Sequence, residues 1–453
     1  MTTPSLSLFI YFYIWSSSGE DNQQATAMVP SQSAGSSSRL DAQNILPDPE
    51  SLTPKNVFID SARHSLEDED RSENGQGRDG TECENDISDL TRRRTQRLRQ
   101  SSETIHEKNP QAKPPSQPSP PLGFFDVNTL SFFIIFSLFG TLARLGLNAL
   151  FSYDGQSVFP LLWAQGVGCF IMGLILGRKE EIEKWGGREL YVGLGTGLCG
   201  SITTFSSWML QTFSAFSNQS GYDRSWVHDA TDGITQTIQT FAFALFSLHL
   251  GRKLSHQAPL PDVLLQPRPN PGKSITSRSI VFLTALILYL AVLFTVIFTP
   301  SSFHPGRRVT FSLLLAPPGS IVRWWLARLN GTVPRYPFLG TLSANLIATG
   351  ILSASYLLQR VPGSVRVNEI QCQALQSLED GFCGCLSTVS TFAVELDALA
   401  SKTKNKKPDE EGRRGMEFAY GIGSWGAGLV VVVIVFGIPS WTLPDGLQPV
   451  CRY

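Results

Sequence analysis

Two runs of the chain, 184 positions apart, hold the residues best suited to chemistry. Gly197 to Trp208 reads Gly-Leu-Cys-Gly-Ser-Ile-Thr-Thr-Phe-Ser-Ser-Trp, and Gly381 to Phe392 reads Gly-Phe-Cys-Gly-Cys-Leu-Ser-Thr-Val-Ser-Thr-Phe. Each combines a glycine pair, a cysteine, clustered hydroxyls and aromatic rings, and each lies inside a long apolar segment. Glycine and clustered Ser/Thr loosen a helix. A membrane tolerates the freed backbone groups only where they meet protein or line a cavity. Two copies imply two halves, each supplying one broken membrane helix to a shared site.

The surroundings of the runs fall into two regimes. Residues 20–122 are rich in Ser, Pro, Gln, Asp, Glu and Arg, with few large apolar side chains, so they are expected to be disordered. From Phe124 onward apolar runs dominate. Nine reach about 20 residues, enough to cross a bilayer: Leu130–Phe151, Val158–Gly177, Leu190–Ser217, Thr231–Leu250, Ser279–Phe298, Val309–Leu329, Phe338–Leu358, Ala374–Leu396 and Phe418–Ile438. The apolar end Leu6–Trp15 is too short to span and lacks the basic stretch of a signal peptide. Cys83, Cys169, Cys199, Cys372, Cys383, Cys385 and Cys451 form no Cys-x-x-Cys pair and adjoin no His cluster. They read as small packing residues rather than a disulfide framework or zinc site. The long apolar runs make the lipid bilayer the expected partner, and no nucleic-acid partner is expected.

Loop charges set an orientation. Basic residues crowd before span one (Arg92, Arg93, Arg94, Arg97, Arg99) and after spans two, four, six and eight, the last loop holding Lys402, Lys404, Lys406, Lys407, Arg413 and Arg414. The intervening loops are poor in them. The positive-inside rule then places the N-terminus in the cytosol and the C-terminus outside. With a lone fifth span between two sets of four, the sets enter the membrane from opposite sides as an inverted repeat. The expected organisation is a cytosolic tail (1–123), a first four-helix repeat (124–256), a loop and linking helix (257–300), a second repeat (301–440) and a short outer tail (441–453). Other pairs fit this layout. Gly140 to Arg144 matches Gly319 to Arg323, and Ala164-Gln165 matches Ala344-Asn345.

From residue 130 to 438 these motifs resemble the small four-helix fluoride channels of bacteria, and more closely the fused two-repeat fluoride export proteins of fungi and plants. The resemblance implies an all-α polytopic protein that passively exports cytoplasmic fluoride across the plasma membrane, working as a monomer with a pseudo-dimeric core. A pore for this strongly hydrated anion must replace water with neutral donors that release it again: hydroxyls, amides and aromatic ring edges. By resemblance the ion path takes Phe205 and Trp208 from the first run and Phe392 from the second, where Val389 has no ring edge to offer. Around them lie the hydroxyls of Thr204, Ser206, Thr388, Ser390 and Thr391. Asn345 matches the family's pore amide, whereas Gln165 is longer by one methylene, about 1.5 Å. Tyr420 and Ser424 share one face of the ninth span, and Glu395 matches an acidic position at the pore end. Arg144 and Arg323 match an arginine near the pore mouth. A structural sodium ion is implied at the main-chain carbonyls of Gly200, Thr203, Gly384 and Ser387. Because the two runs keep these features unequally, one conducting path is expected.

Two other readings fit fewer residues. An ion-coupled secondary transporter of another small solute would use the same breaks, with Glu395 carrying a proton. A membrane scaffold would work through the Pro-rich stretch Pro114 to Pro121. No His-Glu-x-x-His, P-loop or Ser-His-Asp pattern supports an enzyme. Asn218-Gln219-Ser220 is a sequon on an expected outer loop.

Overall fold

The computed structural model describes residue 123 and residues 125–257, 275–299, 304–333, 336–361, 368–404, 415–443 and 450–451. The expected disordered tail lies outside them apart from Gly123, as does most of the segment 441–453. Among the described residues every regular element is helical, and one isolated bridge, Val333 to Tyr336, is the sole extended pairing. The first half contains α1 (Val127–Leu150), α2 (Leu161–Gly177), α3 (Lys179–Val192), α4 (Phe205–Phe216) and α5 (Trp226–Ser255). Then come α6 (Ile275–Phe298), α7 (His304–Leu326), α8 (Leu339–Leu358), α9 (Glu369–Ser377), α10 (Ser390–Lys404) and α11 (Met416–Val432).

Five helical stretches are long and apolar enough to cross a membrane, or six if the pair Leu161–Gly177 and Lys179–Phe216, bent by 98°, counts as one span. Nine are expected from hydropathy. The shortfall includes α5 and α7, which at 30 and 23 residues have the length but not the apolar content. Gln236 and Gln239 dilute the first, and Arg307, Arg308 and Arg323 the second. The chain is nonetheless a multi-pass membrane protein by its apolar helices. On α6, Ile280, Ile287, Phe294 and Ile297 are each at least 60% exposed, a surface suited to lipid.

Two joints show how sequence positions the elements. Pro317 and Pro318 lie inside α7, and proline supplies no N–H to the carbonyl four residues back. For Pro318 that carbonyl is Leu314 O, and the Tyr289 hydroxyl of α6 donates to it at 3.3 Å. Val292 of α6 packs beside Leu138 and Leu145 of α1 and Val309 and Leu313 of α7, so this linking helix is seated on both halves. One turn before the buried arginines, glycines let two helices touch backbone to backbone. A Cβ on Gly140 would lie 2.7 Å from Leu198 O, and one on Gly319 would collide with Phe382 O. Gly319→Ala is therefore expected to cost about 3 kcal/mol, because backbone cannot yield as a side chain can. A melting temperature in detergent equal to that of the parent would contradict this.

Candidate functional site at two interlocked helix breaks

Both repeated runs break where their hydroxyls predict. Thr203 (φ −92°, ψ 149°) and Ser387 (φ −88°, ψ 158°) are extended, and α4 and α10 start immediately beyond. A helix that begins inside the protein has first-turn N–H groups without partners. Each is capped by the opposite half. Ser387 Oγ accepts from the amides of Phe205 and Ser206, both at 3.1 Å. Thr203 Oγ1 accepts from the amides of Val389 at 3.3 Å and Ser390 at 3.1 Å. The remaining hydroxyls join the knot. Thr204 and Ser206 lie 3.0 and 2.9 Å from Ser387 Oγ, and Thr388 and Ser390 each lie 3.1 Å from Thr203 Oγ1. Thr391 is held through its amide, which donates to Thr388 Oγ1 at 3.5 Å.

The two amides bind the breaks in the same way. Asn345 Nδ2 donates to Thr388 O at 3.2 Å, and its Oδ1 accepts from Thr388 N at 2.8 Å. Gln165 Nε2 donates to Thr204 O at 2.6 Å, and its Oε1 accepts from Thr204 N at 3.3 Å. The extra methylene does not misplace Gln165, since its longer side chain still reaches both atoms.

The arginines depart from the expectation of a pore mouth. Arg144 and Arg323 are 2% and 3% exposed, and each crosses to the other half. The reason lies in the backbone register. Before each break the chain runs through a wide turn, Gly193–Cys199 or Leu378–Cys383. There Gly200 N bonds Gly195 O and Gly384 N bonds Glu379 O, five residues back. That leaves Thr196 O and Asp380 O without their usual helical donors. Arg323 Nη2 donates to Thr196 O, and Arg144 Nη2 donates to Asp380 O. The breaks remove a second donor each: extended backbone at Thr203 and Ser387 turns the amides of Thr204 and Thr388 away from Gly200 O and Gly384 O, and Gln165 and Asn345 accept them instead. Arg323 Nη1 reaches Gly200 O at 2.7 Å and Ser387 O at 3.3 Å. The Arg144 guanidinium lies against Gly384 where a Cβ would be.

These contacts bear on the implied sodium ion. Main-chain carbonyls suit a hard cation. Of Gly200, Thr203, Gly384 and Ser387, however, two carbonyls already accept from one guanidinium nitrogen. The set does not fit a free cation as an open cage.

Aromatic rings join the breaks to a polar cluster. Phe205 and Phe392 meet edge-to-face at 5.8 Å between centroids and 76°. Phe392 meets Tyr420 at 5.3 Å, and Tyr420 meets Phe338 at 5.4 Å. The Tyr420 hydroxyl donates to Glu395 Oε2 at 2.7 Å. Glu395 Oε1 accepts from Thr341 Oγ1 at 2.5 Å and Asn330 Nδ2 at 3.3 Å. Asn330 Oδ1 in turn caps α8 through the amides of Gly340 at 2.8 Å and Thr341 at 3.2 Å. Ser424 is buried one turn beyond Tyr420. Trp208 sits elsewhere. Its ring meets Phe205 at 5.5 Å and Phe241 at 5.2 Å, and its Nε1 is buried without a hydrogen-bond partner among the described residues. Val389, buried beside the break, contributes its amide.

Sequence reasoning missed Asn330, Thr341, Phe338 and Phe241. Asn330, a capping residue type nine positions before α8, was the one with a signal. It also missed a disulfide. Cys372 and Cys451 are bonded across 79 residues, and the amides of Val450 and Cys451 both donate to Gln359 O. The chain's return to the start of α9 makes this pair, which no local cysteine spacing could reveal. Cys169, Cys199, Cys383 and Cys385 are free and buried, as packing residues should be.

The chain matches the family model described as "CrcB-like protein, Camphor Resistance (CrcB)" twice, over residues 131–251 and 310–438. It is 32% identical over 374 residues to fluoride export protein 1 of Neurospora crassa, covering 70% of this chain and 67% of the relative. With fluoride export protein 1 of Schizosaccharomyces pombe it shares 31% over 319 residues, 69% of this chain and 96% of the relative. A bacterial relative, the fluoride-specific ion channel FluC of Proteus mirabilis, is 32% identical over 129 residues, 28% of this chain and 88% of its own length. No solved structure matches the chain.

Proposed function

The chain belongs to the CrcB-like family, matched once in each half, and on that premise we propose that it is a passive channel exporting fluoride from the cytoplasm. It is not an enzyme. The observation that carries the reading is the ring chain Phe205–Phe392–Tyr420, which runs from the interlocked breaks to the Glu395 cluster. Ring edges carry partial positive charge and hydroxyls donate, so an anion passing along this chain exchanges water for neutral donors at each step. Glu395 orients Tyr420, Thr341 and Asn330 at the end of the path. A membrane potential negative inside drives the anion outward, and no coupled ion is needed.

The finer layout belongs to the same proposal. Nine crossings, with repeats at 124–256 and 301–440 in opposite orientation about α6, account for the matched contacts. Thr196 and Asp380, Gly200 and Gly384, Thr204 and Thr388 all pair at the same offset of 184. One chain then supplies a whole pseudo-dimeric core. The N-terminus is cytosolic and the C-terminus external in the plasma membrane. The Cys372–Cys451 bond supports that orientation, because both ends fall on the outer face, where disulfides persist. A single path conducts, through Phe205, Phe392, Asn345, Tyr420 and Ser424, while Trp208 closes the other against Phe241. The unequal rings support this, as does Gln211, the counterpart of Glu395, whose Oε1 is buried without a partner among the described residues.

A fluoride-sensitive strain lacking its own exporter tests the reading. Expression of the chain is expected to restore growth on fluoride, and purified protein in liposomes to release fluoride without a proton gradient. Proton-dependent uptake of an organic solute without fluoride release would favour the transporter.

A further inference from the structure

We infer that the Arg323 guanidinium is a tethered cation that does, at the centre of this chain, what a bound sodium ion would do. The argument starts from the orphaned carbonyls. The wide turn frees Thr196 O, the first break frees Gly200 O by turning the Thr204 amide toward Gln165, and the second break frees Ser387 O. Three carbonyl oxygens around one point present concentrated negative partial charge, at the end of a helical segment whose dipole adds to it. A hard cation is one way to neutralise such a set. Arg323 is another, and its Nη1 and Nη2 reach all three oxygens.

The fit is built rather than incidental. Arg323 comes from α7 of the second half and lands on carbonyls of the first, with Ser387 added from its own. Its approach requires a glycine, since a Cβ on residue 200 would occupy the guanidinium's place. Pro317 and Pro318 lie one to two turns earlier on the same helix. Ser320, one turn before Arg323, is 3.1 Å from Ser201 Oγ and holds α7 against the break. A sodium ion sharing Gly200 O would stand only two short contacts from a permanent positive charge, with no carboxylate among the described residues bonded to that guanidinium to offset it. The two cations compete for the same oxygens, and the tethered one is present at its own effective concentration.

The other arginine marks the contrast. Each arginine keeps one buried nitrogen without a partner among the described residues, Arg144 Nη1 and Arg323 Nε, but Arg144 takes the single carbonyl of Asp380 where Arg323 takes three. The interlock is therefore chemically one-sided, and Arg323 is the positioning residue that joins both breaks.

The test is a sodium titration with two readouts, melting temperature and fluoride efflux from liposomes, in sodium against N-methylglucamine. Only the second rests on the channel reading, so a failure of that reading leaves the first intact. The wild-type protein is expected to give the same melting temperature and flux with and without sodium. Arg323→Gln, which removes the charge but keeps one donor, is expected to lose at least tenfold in flux without sodium and to recover part of it, with a higher melting temperature, as sodium is added. Arg323→Lys should stay insensitive. Wild-type protein stabilised or activated by sodium would overturn the inference, whatever the variants do. So would a folded Arg323→Gln that conducts normally and ignores sodium. If Arg323→Gln does not fold, Gly200→Ala, which pushes the guanidinium off its carbonyls, is expected to acquire the same sodium dependence, and its absence there counts against the inference.

Discussion

Fluoride efflux through Phe392→Ile is expected to fall on the order of 100-fold, equivalent to about 2.7 kcal/mol of barrier, while the protein still folds. Phe392 is 1% exposed and meets three rings: Phe205, Phe241 and Tyr420. Isoleucine keeps most of the buried volume, so the expected loss of stability is about 1–2 kcal/mol. What it removes is the ring edge, and with it the partial positive charge that would face an anion on the proposed path between Phe205 and Tyr420. Alanine would confuse the two effects by opening a cavity. The matching substitution in the other half is Trp208→Leu. Trp208 is equally buried and touches Phe205 and Phe241 but not Tyr420. Its flux per folded protein is expected to stay within about threefold of the parent. Fluoride release measured by electrode from liposomes, normalised to reconstituted protein, decides between the outcomes. Normal flux in Phe392→Ile removes the ring chain from the path. Equal losses in both variants mean two working paths.

The positions of the two breaks are legible in the sequence, since clustered hydroxyls after a Gly-x-Cys-Gly run leave a helix nowhere to continue in lipid. What those hydroxyls do was not legible. Thr203 and Ser387 cap the opposite half's helix, and a partner 181 to 187 residues away leaves no mark on local spacing. The arginines were misplaced for a related reason. Charge inside an apolar span argues for a wet mouth or a partner, and the partner turned out to be backbone freed by a five-residue hydrogen-bond register. Hydropathy counted α5 and α7 as spans from their apolar residues, yet both carry polar groups whose partners are protein rather than lipid. Thr240 donates to Gln236 O within α5, and Arg308 of α7 reaches Asp380 at 3.1 Å. The disulfide and the Glu395 cluster escaped because each joins segments that are close only once the chain has returned on itself.

Removing either amide separates structure from conduction. Asn345 and Gln165 each make two hydrogen bonds to one break residue, so Asn345→Leu and Gln165→Leu each leave a buried N–H and a buried carbonyl without partners. Both are expected to destabilise by about 3 kcal/mol, and by similar amounts, because the lost contacts are the same in kind and number. Similar losses of melting temperature are thus the expected sign of a shared structural role. Flux per folded protein is a different quantity. If a single path runs beside Thr388 and Phe392, Asn345→Leu should lower it at least tenfold beyond Gln165→Leu, a difference of about 1.4 kcal/mol in barrier. The conservative exchanges sharpen the comparison. Asn345→Gln lengthens the side chain at the conducting side and should lose flux with little stability. Gln165→Asn shortens it at the other side, drawing the amide back from the Thr204 N–H and carbonyl, so it should lose stability with little flux. Equal flux losses in the two leucine variants would mean that both amides face ions, and the unequal rings around them would then need another cause.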